Sequence, residues 1–268
     1  MKAQHETLVM GILNVTPDSF ADGGNHFHPT DAITRATEMV AEGVDIIDIG
    51  GESTRPGAQR VSEEEEARRV LPVLEEVLKL GVAVSVDTTR ASLARQAISR
   101  GAHYINDVSG GLADAQMADL IAESGVKYVA MHWRAHSAEM INHAEYDDVV
   151  ADVKSELANR IDALLAAGIK REQLIIDPGI GFSKNAKQNW ELLRGISEIA
   201  TLEFPILIGA SRKRFLGEDL KPAERETASV AVTSFCAAEG VWAVRTHSVK
   251  PHKAAIAQVR KLQGALNG

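Results

Sequence analysis

Groups that can hold and polarise a ligand occur within or at the ends of eight short apolar runs spread along the chain. These carboxylates, amides, cations, imidazoles and one hydroxyl are Asn14, Asp48, Asp87, Asn106, Asp107, His132, Asp177, Ser211, Arg245 and His247. Any one of them alone is more often a satisfied core or capping group. Burying so many hydrogen-bonding groups without partners would cost much free energy. Together they therefore favour one shared polar pocket.

Two glycine-containing segments after the first two runs carry further ionic and hydroxyl groups. They cover residues 14–24 and 50–58. Both are open to interpretation as long turns, for which their residue types are suited. The functional interpretation is a pair of mobile loops that close over a substrate.

The elements that must position these groups alternate along the whole chain. Short apolar runs predict eight strands, at Leu8–Val15, Asp45–Gly51, Val82–Thr88, Tyr104–Ser109, Tyr128–Trp133, Leu174–Pro178, Ile206–Ser211 and Ala243–His247. Amphipathic stretches such as Glu63–Lys79 and Asp147–Ala167 predict helices between them. Regular alternation implies right-handed crossovers and a parallel sheet. Eight units favour an α/β fold of the (β/α)8, or TIM barrel, type with its site at the carboxyl ends of the strands. A doubly wound open sheet stays possible.

Local signals agree with these boundaries. Ser62 and Glu65 resemble a capping box, and the acidic run 63–66 suits a solvated helix start. Gly81, Gly125 and Gly168 stand where helices should end. No linker divides the chain, and a barrel needs about 250 residues. We therefore expect residues 1–268 to form one domain.

Composition limits the class of protein. The net charge of −8 argues against a nucleic-acid or membrane surface, because both partners require a basic face. A small anionic substrate needs only a local cluster such as Ser211 to Arg214, although such a cluster alone is more often a solvated helix start. The single cysteine, Cys236, excludes an intramolecular disulfide. With no signal-peptide core in the first residues and no membrane-length apolar run, we predict a cytoplasmic protein.

Several of these motifs, in order, resemble the dihydropteroate synthase family. The resemblance covers nearly the whole chain and is carried by Asn14–Gly24, Glu52–Ala58, Asp87, Asn106-Asp107, Asp177–Phe182, Ser211–Lys213, and Arg245 with His247. The family condenses 6-hydroxymethyl-7,8-dihydropterin diphosphate with p-aminobenzoate. The resemblance thus implies a magnesium-assisted transferase of folate biosynthesis and a sulfonamide target.

The resemblance also implies a role for each matched residue. The residues expected to bind the pterin are Asp87, Asn106, Met131, Asp177 and Lys213. The diphosphate is expected at Asn14, Arg245 and His247, with Asn14 also holding Mg²⁺. The residues expected at the p-aminobenzoate site are Phe20, Thr54, Arg55, Pro56 and Ser211. Catalysis is assigned to Asp22, Asp87, Lys213, Arg245 and His247.

The chain departs from the common family pattern at two places. Many relatives carry Met-His-Met where this chain has residues 131–133, so Trp133 stands in place of the second methionine. Ser248 stands in place of the aspartate that usually follows His247. The second change removes a carboxylate beside the expected diphosphate site. Two other functions stay open: a non-catalytic pterin-binding paralogue, and a pterin-dependent methyltransferase, which would need no diphosphate site. Family members usually form homodimers, so we expect one here.

Overall fold

The computed structural model describes residues 6–16, 29–53, 60–135 and 144–266. Within these ranges every predicted strand is present; β7 is much shorter than its apolar run, and the others are slightly shorter than theirs. The strands are β1 (Leu8–Asn14), β2 (Ile46–Gly50), β3 (Ala83–Asp87), β4 (Tyr104–Asp107), β5 (Lys127–Met131), β6 (Leu174–Asp177), β7 (Leu207–Ile208) and β8 (Ala243–Thr246). No helix in the same ranges is both long and apolar enough to cross a membrane.

Helices follow the strands along the chain. They are α1 (Pro29–Ala41), α2 (Glu63–Leu78), α3 (Ala91–Ser99), α4 (Met117–Ser124), α5 (Val149–Ala166), α6 (Ala186–Arg194), α7 (Ile196–Ile199), α8 (Glu226–Ala238) and α9 (Lys250–Leu266). The helices predicted at Glu63–Lys79 and Asp147–Ala167 are confirmed as α2 and α5. Helix α5 begins later than predicted because the Asp148 side chain caps it, accepting the N–H groups of residues 150 and 151.

The strands are parallel and form one nearly closed sheet. Their order is β6-β5-β4-β3-β2-β1-β8-β7, and Ile176 of β6 forms a parallel bridge with Ile206 beside β7. The Ile176 N–H also donates to the carbonyl of Pro205 at 2.9 Å. The sheet is therefore a (β/α)8 barrel, and the open doubly wound alternative is excluded.

Strand β7 departs most from its prediction. The run Ile206–Ser211 yields only Leu207 and Ile208 as strand residues. These two pair with β8, while the other side meets β6 at a single bridge. Pro205 has no N–H to extend the ladder. Residues 209–211 thus leave the sheet and lead directly towards the site.

Alternation along the strands places apolar and polar side chains in successive layers inside the barrel. The buried apolar cluster inside comprises Met10, Ile46, Val129, Ile175, Leu207 and Ala243, near the amino ends of their strands. Residues two or four further along a strand point to the same side. That inward register ends in Asn14, Asp48, Asp87, Asn106, Met131, Asp177 and Arg245. Residues of opposite register face the helices in a much larger apolar core.

The helix signals are confirmed with one change. The Ser62 hydroxyl accepts the Glu65 N–H at 3.2 Å, as predicted. The Glu65 carboxylate, however, pairs with Arg68 and Arg69 instead of returning to the cap. Gly125 ends α4 in the left-handed conformation, with φ +73°. Gly81 and Gly168 also have positive φ beyond their helices.

Candidate active site

Arg245 lies at the centre of the carboxyl end of the barrel, between two carboxylates. Its Nε donates to Asp48 Oδ2 at 2.6 Å, and its Nη2 donates to Asp87 Oδ2 at 2.7 Å. The Asn106 amide donates to the same Asp48 oxygen at 3.0 Å. These four side chains come from β8, β2, β3 and β4. The short apolar runs thus bring together residues up to 197 positions apart.

The charges in this cluster are only partly balanced. Asp48 is fully buried, and its Oδ1 has no hydrogen-bond partner among the described residues. Burial raises the pKa of Asp87 to about 7; Arg245 opposes this shift, and Asp48 adds to it. Sequence reasoning noted Asp48 as a polar strand residue but gave it no role. Its inward register, two positions after Ile46, was the available signal.

A second cluster joins Asp177 and Lys213. The Oδ1 atom of Asp177 accepts the Gly179 N–H at 2.7 Å, while its Oδ2 accepts no hydrogen bond within the described ranges. The Lys213 ammonium donates to the carbonyl of Ile180 and lies 4.2 Å from the centroid of the Phe182 ring. Burial raises the pKa of Asp177, and nearby Lys213 opposes that shift.

The charges of the two clusters lie close enough to affect one another. Burial lowers the pKa of Lys213 to about 7; Asp177 counteracts this shift, and Arg245 reinforces it. Met131 of β5 stands in register with Asp177 of β6 and is almost fully buried. Such paired residues with opposing pKa shifts are typical of functional sites.

Ser211 and His247 meet at the ends of β7 and β8. The Ser211 hydroxyl and His247 Nδ1 are 3.0 Å apart, and the His247 N–H donates to the same hydroxyl at 3.2 Å. Arg212, between the predicted ligand residues 211 and 213, has a left-handed backbone with φ +58°. Its guanidinium donates to Glu226 and to the Ser248 hydroxyl, each at 2.8 Å. The hydroxyl that replaces the usual aspartate therefore supports the turn carrying Ser211 and Lys213.

Two strand-end groups do not share the pocket, and the prediction of one pocket was wrong for them. Asp107 follows the inward Asn106 and therefore faces outward, where it accepts hydrogen bonds from Ser109 and Tyr128. His132 is displaced from the inward Met131 in the same way and contacts Glu156 of α5 at 2.9 Å. Both residues were singled out because they lie at the end of a strand. Because side chains alternate along a strand, only every second one points into the barrel, where it can reach a ligand.

The acidic run at the start of α2 is not wholly solvated, contrary to expectation. Glu66 is 1% exposed and pairs with Arg90, whose guanidinium also contacts Glu52 at 3.2 Å and the carbonyl of Val61 at 2.6 Å. Arg60 donates to Glu52 at 3.1 Å. These contacts tie Glu52, near the start of the second glycine-containing segment, to Arg60 and Val61, which follow that segment.

The remaining predicted ligand residues divide into two groups. Asn14 ends β1 beside Gly50, where the amide oxygen and Asp87 both border the glycine. Five predicted residues lie outside the described part of the chain: Phe20, Asp22, Thr54, Arg55 and Pro56.

This geometry defines the class of protein: a (β/α)8-barrel enzyme with a charged site at the carboxyl ends of its strands. The model of the family described as "Pterin binding enzyme" matches residues 10–247. Dihydropteroate synthase of Mycobacterium leprae is 49% identical over 251 residues, covering 90% of this chain and 88% of the relative.

Solved structures agree with this family. The dihydropteroate synthase of Yersinia pestis with a sulfonamide drug superposes with a TM-score of 0.92 at 39% identity, covering 97% of this chain and 95% of that one. That of Xanthomonas albilineans in complex with 7,8-dihydropteroate gives 0.88 at 38% identity, with 97% and 95% covered. The chain belongs to the pterin-binding enzyme family and, within it, groups with the dihydropteroate synthases.

Proposed function

We propose that this chain condenses 6-hydroxymethyl-7,8-dihydropterin diphosphate with p-aminobenzoate, giving 7,8-dihydropteroate and pyrophosphate. The observation that carries the proposal is the inward carboxylate of Asp177, with Lys213 beside it and one oxygen that accepts no hydrogen bond within the described residues. The chain groups with the dihydropteroate synthases. Asp177 lies at the carboxyl end of β6, the end at which barrels of this fold carry their active sites.

Pterin recognition follows from the donors on the ligand. The pyrimidine edge presents a ring N–H beside an exocyclic amine, and a carboxylate can accept from both. Asp177 Oδ2 is available for one of these bonds, and Oδ1 retains a lone pair beyond the Gly179 contact. Lys213 supplies a cation for a ring oxygen or nitrogen. Asn106 and Asp87 provide the neighbouring polar surface, and Met131 provides an apolar one.

The chemistry needs charge stabilisation and positioning more than a nucleophile. The bond between the C6-methylene carbon and oxygen breaks, and pyrophosphate leaves with the electron pair. The aniline nitrogen of p-aminobenzoate then forms the new C–N bond and loses one proton. Arg245 and His247 are placed to stabilise the leaving anion. Arg245 is held by Asp48 and Asp87, so the diphosphate must compete with or join these contacts.

Mg²⁺ fits the donor set as an ion shared with the substrate. No group of three or more His, Cys, Asp or Glu side chains able to hold a metal occurs within the described ranges. Mg²⁺ commonly takes one or two protein oxygens and completes its shell with phosphate oxygens and water. Asn14 Oδ1 would be the protein ligand, and it makes no hydrogen bond within those ranges. Bound Mg²⁺ would neutralise charge on the leaving diphosphate.

We further propose that p-aminobenzoate binds second. Ser211 lies at the mouth, next to His247, and can receive the benzoate carboxylate. The other proposed contacts, Phe20, Thr54, Arg55 and Pro56, belong to the glycine-containing segments, as does Asp22. Because segments of this kind can be ordered by the first ligand, a sulfonamide should bind the pterin–Mg²⁺–pyrophosphate complex more tightly than the free protein. Equal affinity would contradict this order.

A homodimer is proposed through helix α8. Its outward stripe consists of Thr227, Ala231, Phe235 and Ala238, and Phe235 is 38% exposed. An uncharged, partly apolar stripe on an outer helix suits a second copy of the chain. Sedimentation should show a dimer that Phe235→Glu weakens. The control Leu112→Glu, at another exposed apolar position, should leave the dimer intact. Cytoplasmic location stays a prediction of the sequence.

The reaction is tested by product formation. Purified protein, Mg²⁺, pterin diphosphate and p-aminobenzoate should yield dihydropteroate and pyrophosphate in equal amounts, and omission of p-aminobenzoate should prevent dihydropteroate formation. Pterin binding by calorimetry, measured on the same preparation, separates the alternatives. Pterin binding without product would contradict the condensation and leave the non-catalytic paralogue and the pterin-dependent methyltransferase, and no binding would refute all three pterin functions.

A further inference from the structure

The turn between β6 and α6 encloses a lysine to which no role has been given above. Lys184 donates from Nζ to the carbonyls of Gly179 and Phe182, at 3.1 and 3.0 Å. Its third contact is His132 Nδ1, at 3.2 Å. An ammonium has three N–H donors, so these three acceptors satisfy it completely.

The turn has little freedom to adopt another shape. Gly179 and Gly181 have φ values of +71° and +81°, and Ser183, which is not a glycine, has φ +47°. A Cβ at position 179 would lie 2.7 Å from the carbonyl oxygen of His132. The backbone is therefore bent tightly against β5, with two carbonyls directed at one cation.

The same turn supports both pterin residues. Its Gly179 N–H donates to Asp177 Oδ1 at 2.7 Å. Its Ile180 carbonyl accepts from the Lys213 ammonium, and the Lys213 stem packs where a side chain on Gly181 would stand. A displacement of the turn would consequently move the carboxylate and the cation together.

We propose that Lys184 is a positioning residue for pterin recognition, whose ammonium fixes the turn of residues 178–184 and thereby orients Asp177 and Lys213. This inference rests on the proposed function, because it assumes that Asp177 and Lys213 bind a pterin. In this proposal Lys184 acts through its contacts with the turn and with His132, and not through the substrate or the reacting atoms.

The surroundings of Lys184 make its charge sensitive to pH. The titratable and charged groups facing it are Asp177 at the end of β6, Lys213 after β7, His132 and Arg134 after β5, Tyr146 before α5, and Glu156 on α5. Burial lowers the pKa of Lys184 to about 7, although Asp177 opposes the shift. Burial also lowers the pKa of His132 to about 4, so its ring is neutral at pH 7 and can accept at Nδ1.

Loss of the Lys184 proton should therefore weaken pterin binding. A neutral amine has only two N–H donors, so one of its three acceptors loses its partner. The ammonium is present below its pKa of about 7 and is lost as the pH rises through that value. Binding should decline on the alkaline side.

The test is calorimetric titration of 6-hydroxymethylpterin at about pH 6 and about pH 8.5, on either side of the Lys184 pKa. Lys184→Met should weaken binding about 10- to 100-fold at the lower pH, as expected for loss of a charged hydrogen-bonding group. Between the lower and the higher pH, the pterin affinity of Lys184→Met should also decline less than that of the wild type. The ligand and Lys213 also titrate, but they do so in every variant. Their contribution therefore largely cancels when each variant's pterin affinity is divided by the wild-type affinity at the same pH. The control is Lys187→Met, whose ammonium is exposed on α6 and should not matter.

Lys184→Arg provides a second readout that does not depend on a soluble methionine variant. Arginine keeps its charge throughout, so its pterin affinity should fall less between the two pH values than that of the wild type. Unchanged binding by Lys184→Met, or a wild-type pH slope in Lys184→Arg, would overturn the inference. Failure of the wild-type protein itself to bind pterin would instead overturn the proposed function, and this inference with it.

Discussion

The two halves of the barrel interior share their strands but have opposite chemistry. In the amino half, Met10, Ile46, Val129, Ile175 and Leu207 fill the space and are at most 4% exposed. In the carboxyl half, the same inward registers continue into Asn14, Asp48, Met131 and Asp177, while β8 contributes Arg245. A step of two or four residues along a strand thus changes the interior from hydrocarbon to mostly polar and charged groups.

The two halves make different contributions to folding. Burying an aliphatic side chain stabilises the folded state by about 1.5–3 kcal/mol. The charged half lacks this gain, since burial raises the pKa of Asp87 and lowers that of Lys213, both to about 7. The protein therefore disfavours the charged form of each group. The comparison indicates that the amino half holds the barrel together, while the carboxyl half retains charge for a ligand.

The strongest challenge to this division is Arg245→Met. Removing the guanidinium leaves Asp48 and Asp87 without their shared partner, and breaking a buried pair typically costs about 3–5 kcal/mol. We expect a loss of that order in urea denaturation and a severe loss of pterin-diphosphate binding. The control is Arg214→Met, at an exposed position on the same side of the barrel. A variant as stable as the wild type would show that the carboxylates need no cation.

The amino half should respond in stability alone. Leu207→Ala removes a fully buried side chain from the apolar cluster and should lower the free energy of unfolding by about 2–4 kcal/mol. Because the cavity lies below the polar layer, pterin affinity of the folded protein should remain close to wild type. Denaturation and calorimetry on one preparation measure both. A loss of affinity matching the loss of stability would mean that the halves are coupled.

The carboxyl half should show the reverse at Asp177. Asp177→Asn keeps the shape but replaces a double acceptor by an amide, so pterin binding should weaken by about 1.5–3 kcal/mol. Stability should change little, because burial already disfavours the carboxylate charge. Calorimetry with 6-hydroxymethylpterin checks the first expectation and urea denaturation the second. Unchanged pterin affinity would show that Asp177 is not the pterin anchor.

Sequence patterns predicted those parts of the molecule that depend on neighbouring residues. Alternating apolar runs were sufficient for the eight strands, and Ser62 was sufficient for the start of α2. Side chains alternate along a strand, so an inward Asn106 also predicts that the next residue, Asp107, points outwards. Lys184 and Arg90 could not be assigned in this way. Their partners His132 and Glu66 lie 52 and 24 residues away, and only the closed barrel brings them together.

The smallest expected effect concerns Ser248, which accepts from Arg212 at the carboxyl end of the barrel. Ser248→Asp restores the carboxylate common in the family and gives Arg212 a second anion beside Glu226. Arg212 and Glu226 are 30% and 23% exposed, so solvent screens the pair and the gain should be at most about 1 kcal/mol.

Because the new carboxylate would face Arg212, KM for pterin diphosphate should change less than about threefold, equivalent to under 1 kcal/mol. Ser248→Ala is the matched control and should lose a little stability, since the Arg212 guanidinium then keeps only Glu226 among the described side chains. Urea denaturation and steady-state kinetics measure the two effects. A tenfold rise in KM for Ser248→Asp would mean that position 248 faces the diphosphate and not the Arg212 turn, and that the polar half of the barrel extends one residue further than its inward register predicts.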